Sequence, residues 1–77
     1  MTEAYVLIQS RIGRSAEVAG ALSTIAGVRF ADVVIGPYDI IAGAEARNID
    51  GLGRLIVARV QAVDGVARTV TCPVVHI

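Results

Sequence analysis

The sequence predicts an α+β fold, a four-stranded antiparallel sheet with both helices on one face, in the order β-α-β-β-α-β. Three observations lead there. Four short stretches are rich in Val, Ile and Thr, and the two stretches between them space apolar residues as a helix does. The signals Ala26-Gly27-Val28 and Asp64-Gly65-Val66 each lead from a helical pattern into a strand, which makes the second half an echo of the first. Only Gly36-Pro37 separates the two middle strands, the spacing of a hairpin.

Residues 4–11 read as strand one. Val6, Ile8 and Ser10 point one way, and Tyr5, Leu7 and Gln9 the other. Both sides are apolar in the first half, so both are expected to be covered. Residues 16–26 read as helix one, with Val18, Leu22 and Ile25 on one face. Ser15 is the expected N-cap, Glu17 favours the positive end of the helix dipole, and Gly27 is the expected stop.

Val28 to Ile35 reads as strand two, on its β-branched content and flanking glycines. Asp32 inside it points to an exposed edge, since Asp is seldom buried unpaired. Tyr38 to Glu45 reads as strand three, with Ile40, Ala42 and Ala44 on one side and Asp39, Ile41 and Gly43 on the other. Asn48 is the expected cap of helix two, residues 49–63, whose buried line is Leu52, Ile56, Val60 and Val63. Gly51 and Gly53 weaken its start by roughly 1 kcal/mol each relative to Ala. Val66 to Val75 reads as strand four, with Thr69 and Thr71 opposite Val70 and Cys72. Pro73 marks an edge or an end. This arrangement is the split βαβ, or ferredoxin-like, fold.

Composition narrows the function. Of 77 residues, 55% are hydrophobic, too many for a disordered chain and more than one small domain buries alone. The surplus predicts a homo-oligomer, simplest as a C2 dimer that packs two bare sheet faces into an α/β sandwich. Tyr5, Leu7, Phe30 and Val34 are candidates for that face. Formal net charge is zero and there is no Lys, so direct nucleic-acid binding is not expected. No apolar run reaches the roughly 20 residues of a membrane span. No secretory signal opens the chain, and the single Cys72 fits a reducing cytoplasm, as a small buried hydrophobe. Metal-ligand spacing and a phosphate loop are both missing, and no cofactor is expected.

The motifs Gly27-Val28, Gly36-Pro37-Tyr38-Asp39-Ile40-Ile41 and Gly65-Val66 followed by Thr69-Val70-Thr71 carry a resemblance. From about Ala4 to Val75 the chain resembles the effector-binding domain of the Lrp/AsnC transcription regulators, the domain for regulation of amino-acid metabolism. The resemblance implies a sheet-to-sheet dimer, further assembly into tetramers or octamers, and a small amino-acid effector held between dimers. It implies Gly36, Tyr38 and Asp39 as ligand contacts, with Asp39 facing an α-ammonium group, and Thr69 and Thr71 joining from a neighbouring subunit. With Met1 three residues before strand one, the expectation is a single stand-alone domain over 1–77. No DNA-binding segment is expected, and full-length regulators of the family are expected partners.

Plainer readings stand beside these. From periodicity alone, Gly36-Pro37-Tyr38-Asp39 is a hairpin turn with a solvated carboxylate, and Thr69 and Thr71 are ordinary strand residues. A small cofactor-free oxygenase or isomerase on the same fold is the alternative function. It requires His76, Asp32 or Tyr5 to converge in a deep pocket. A structural partner domain that has lost its ligand is a third reading.

Overall fold

Alternation in Ala4-Tyr5-Val6-Leu7-Ile8 sends every second side chain to one side of a strand, and the packing follows that division. Ala4, Val6 and Ile8 are buried, while Tyr5 is exposed and Leu7 half-buried. The computed structural model describes residues 1–77. Its elements are β1 (Thr2–Ser10), α1 (Ser15–Leu22), β2 (Val28–Val33), β3 (Ile40–Ala46), α2 (Ile49–Leu55) and β4 (Val66–Pro73). A π-helical turn, Ile56–Val60, continues α2. The strands lie in the order β2-β3-β1-β4, and every neighbouring pair is antiparallel. This is the expected ferredoxin-like topology.

Register sets the two faces. Ile8 pairs with Ile40 on one side and Thr69 on the other, and Val6 pairs with Ala42 and Thr71. These residues face the helices. Val18 and Leu22 of α1 and Leu52, Ile56 and Val60 of the second helical segment join the same core cluster. Burying each such aliphatic side chain contributes about 1.5–3 kcal/mol. The opposite face carries Leu7 between Ile41 and Val70, and Tyr5 between Gly43 and Cys72. Phe30 also pairs with Gly43, and its ring occupies the space a Cβ there would need. The Tyr5 and Phe30 rings lie 6.5 Å apart, tilted by 57°.

Two helix exits repeat one device. Gly27 and Gly65 have φ of 96° and 98°, a left-handed backbone that glycine adopts freely. In each, the following Val donates its N–H back two residues before the glycine, Val28 to Ile25 and Val66 to Val63. The glycine carbonyls then accept from the far half of the chain, Gly27 from the Glu45 N–H and Gly65 from the Arg11 N–H, both at 2.8 Å.

Several expected boundaries move, each for a local reason. α1 ends at Leu22 rather than 26, because Ser23 and Thr24 turn their hydroxyls onto the Ala19 and Ala21 carbonyls and the turn tightens. Ser15 lies inside α1. The N-cap is Arg14, with no side-chain capping bond, and the Ser15 hydroxyl meets that of Ser10 at 2.7 Å. Asn48 does cap α2, accepting the Gly51 N–H at 2.8 Å. Helical structure then stops at Val60 rather than 63.

β2 ends at Val33 and β3 starts at Ile40, so six residues rather than two join them, and Val34, Tyr38 and Asp39 lie outside the strands. Asp32 is exposed on edge strand β2, as expected. Cys72 is exposed rather than buried, because its register with Tyr5 places it on the bare sheet face.

Candidate functional site

The segment 34–39 is built as a loop pinned to the end of β1. The Val34 N–H donates to the Asp39 carbonyl at 2.8 Å and closes the loop. The Asp39 N–H donates to the Ile8 carbonyl at 2.9 Å, and Gln9 Nε2 donates to the Pro37 carbonyl at 3.1 Å. Pro37 has no N–H to continue a ladder, which suits a chain leaving the sheet here.

Asp39 holds the arrangement together. Its Oδ2 accepts the Ser10 N–H at 2.9 Å and the Ser10 hydroxyl at 3.3 Å. The Ser10 hydroxyl meets that of Ser15, which carries the connection to the start of α1. Asp39 is therefore half-buried and anchored rather than solvated at a hairpin tip. Both bonds fall on Oδ2, which leaves Oδ1 for an outside donor. Tyr38 beside it is half-buried. Gly36 is exposed, and a Cβ there would meet nothing within 4 Å. Its φ is not left-handed, so the backbone does not demand glycine at this position.

Thr69 and Thr71 stand elsewhere in the same chain. They lie on edge strand β4, facing the helices, with β1 between them and β3. Neighbouring strands are about 4.8 Å apart, so two spacings of nearly 10 Å separate Thr69 from Ile40, the residue after Asp39. One chain does not bring the threonines to the loop. Gln61 Nε2 donates to Thr69 Oγ1 at 3.0 Å, while Thr71 borders an apolar groove beside α2.

Sequence reasoning missed Gln9, Ser10 and Ser15. Gln9 and Ser10 have their loop partners 28 and 29 positions away, a separation that no local pattern reports, and Ser15 joins through Ser10. The pairing of Ile8 with Ile40 is the signal that places them together.

Other charged groups form two surface clusters. Arg14 donates to Glu17 at 2.6 and 3.0 Å and to Asp64 at 2.9 Å. These hydrogen bonds, reinforced by the guanidinium charge, hold both carboxyls below their usual range and raise the Arg14 pKa. Glu3 pairs with Arg29 at 2.6 Å and lies 3.8 Å from His76. None of the three surface concavities is lined by His76, Asp32 or Tyr5, and no three His, Cys, Asp or Glu side chains are placed to hold a metal ion.

The sequence matches the family model for the Lrp/AsnC ligand binding domain over residues 3–77. The chain belongs to this family. An uncharacterised HTH-type transcriptional regulator of Pyrococcus furiosus is 33% identical over 55 residues, which cover 71% of this chain and 37% of that regulator. The chain thus spans well under half the length of the curated relative that it matches. A solved protein of Thermus thermophilus is 27% identical with a TM-score of 0.92, covering 100% of this chain and 96% of that one. E. coli AsnC, 21% identical over 99% of this chain and 52% of its own, has a TM-score of 0.90 and shares the fold. The Lrp/AsnC ligand-binding domain is a module of transcription regulators and not an enzyme family, which sets aside the oxygenase or isomerase alternative. No helix is long and apolar enough to cross a membrane.

Proposed function

We propose that this Lrp/AsnC domain is a cytoplasmic sensor that binds a small amino acid or a related metabolite between dimers. The observation that carries this reading is the anchored Asp39 carboxylate. Oδ2 is committed to Ser10, so Oδ1 is held in place for an α-ammonium group, a charge-assisted bond. Gly36 leaves bare backbone for the ligand carboxylate, and Tyr38 flanks it with a ring and a hydroxyl. Thr69 and Thr71, too far away within one chain, join from a neighbouring copy. The half-buried row of Ile41, Leu7 and Val70, with Phe30 and the exposed Tyr5, supports a sheet-to-sheet dimer as the building block. Tetramers to octamers then form through the loop edges.

Ligand between dimers favours one assembly by binding it more tightly, and the population shifts. The output is contact with full-length regulators of the same family. Calorimetric titration with the twenty amino acids tests this. At least one is expected to bind the wild type, and binding is expected to fall at least about tenfold in Asp39→Asn, which removes the charge. Unchanged binding in that variant removes Asp39 from the site.

A further inference from the structure

Strand β4 closes the sheet on one side, and no strand lies beyond it. The Val74 N–H donates to the Glu3 carbonyl across from it, which fixes the alternation along β4. Val70 and Arg68 therefore turn their backbone groups to β1, and Thr69 turns its N–H to the open edge. The Thr69 side chain stands on the helix side, where Gln61 Nε2 donates to its Oγ1 at 3.0 Å. Gln61 follows the π turn, and its N–H reaches back to the Ile56 carbonyl at 2.8 Å. That wide i to i+5 bond is a feature frequent at functional sites. A hydroxyl has one proton and two lone pairs. With one lone pair given to Gln61, Thr69 Oγ1 keeps its proton for an outside acceptor. The Gln61 amide has a second N–H, and the Thr69 backbone N–H adds a third donor.

These donors border one concavity of about 260 Å³, lined by Gln61, Val66, Ala67, Arg68 and Thr69. No acidic residue lines it. Arg68 is exposed and pairs with no carboxylate. The nearest acid in sequence, Asp64, is held by Arg14 at 2.9 Å. We infer that this concavity is a carboxylate site, in which Gln61 turns the Thr69 hydroxyl outward. A carboxylate only accepts, and it matches a set of donors beside an unpaired guanidinium through charge-assisted bonds. A cation would meet Arg68 and no acid. The site uses no residue of the 34–39 loop and stands whether or not an effector binds there. Two sources share this chemistry, a small-molecule acid and an acidic side chain of a second copy.

The test titrates the full chain with sodium acetate in place of sodium chloride at constant ionic strength, read by amide NMR. The Thr69 amide and the Gln61 side-chain amide are expected to shift and saturate. Arg68→Gln is expected to weaken acetate binding about tenfold, the loss of a charge-assisted partner. Gln61→Leu is expected to weaken it roughly two- to tenfold, the equivalent of one hydrogen bond. Gln61→Glu keeps the shape but offers Thr69 an acceptor, which draws the hydroxyl proton inward and adds a negative charge. Acetate binding is expected to be lost in Gln61→Glu while its far-UV circular dichroism stays that of the wild type. A purely structural contact would not show this reversal.

Shifts at Thr69 and Gln61 that fail to saturate, or acetate affinity retained in Gln61→Glu, overturn the assignment. Sedimentation velocity of the wild type then separates the two sources. A lower sedimentation coefficient at saturating acetate assigns the carboxylate to an acidic side chain of another copy, which acetate displaces. An unchanged coefficient assigns it to a small-molecule acid.

Discussion

The Asp39 carboxylate accepts the Ser10 backbone N–H at 2.9 Å, so the candidate effector loop and the end of β1 form one unit. Asp39→Ala leaves that partly buried N–H without its partner, and a loss of about 1–3 kcal/mol is expected. Asp39→Asn keeps an acceptor oxygen and is expected to lose about 1 kcal/mol or less. Urea denaturation of both variants measures the difference. Equal losses would show that the staple contributes little.

The glycines separate into two kinds. Gly65→Ala forces a left-handed residue with a Cβ 2.7 Å from Val18 Cγ2. Backbone strain of about 1–2 kcal/mol and overpacking of about 1–3 kcal/mol are expected to add. Gly36→Ala meets neither obstacle and is expected to stay within about 0.5 kcal/mol of the wild type. Thermal unfolding of the two variants, measured together, checks the contrast.

Acid should loosen the Arg14 cluster. The Glu17 and Asp64 carboxyls are held below their ordinary values of 4.5 and 3.8 by the Arg14 hydrogen bonds. Their contribution is therefore fully present above those values and is lost as pH falls through the lower, folded-state values. The exposed setting keeps the effect small. Arg14→Gln is expected to flatten the fall in melting temperature as pH drops below about 4.5, where the contribution begins to be lost. An unchanged slope would mean that other carboxyls govern acid stability.

Self-association should depend on the bare sheet face. Leu7 is central there, between Ile41 and Val70, and points away from the core. Leu7→Arg is expected to leave the monomer folded and to weaken dimerisation by roughly 100-fold or more, because an unpaired charge would be buried between sheets. Sedimentation equilibrium reads the outcome, and an intact dimer would move the interface elsewhere.

Element order and strand sidedness were legible because both follow from side-chain periodicity. Val6 and Ile8 face the helices, and Tyr5 and Leu7 do not, as alternation requires. Asn48 was legible because its cap bond spans three residues. The end of α1 was harder to read, since Ser23 and Thr24 compete for helix carbonyls before Gly27 is reached. The line Leu52, Ile56, Val60 hid the π turn. A spacing of four drifts by about 40° per step on an α-helix, and the wider turn takes up that drift. At the candidate site, Asp39 was visible as a residue but its attachment was not. Ser10 lies 29 positions away and becomes a neighbour only through the β1–β3 register.

The paired helix exits bear on how the molecule comes apart. Gly27 closes the connection from α1 to β2 and accepts the Glu45 N–H from the second half, and Gly65 closes the connection into β4 and accepts the Arg11 N–H from the first. Each exit glycine's carbonyl finds its donor only when the other half is in place. Melting one repeat strips the other of its clasp, so the two unfold as a single cooperative unit. A chain cut within the 34–39 loop would give two fragments that depend on each other to fold, and mixing them would restore the domain by complementation.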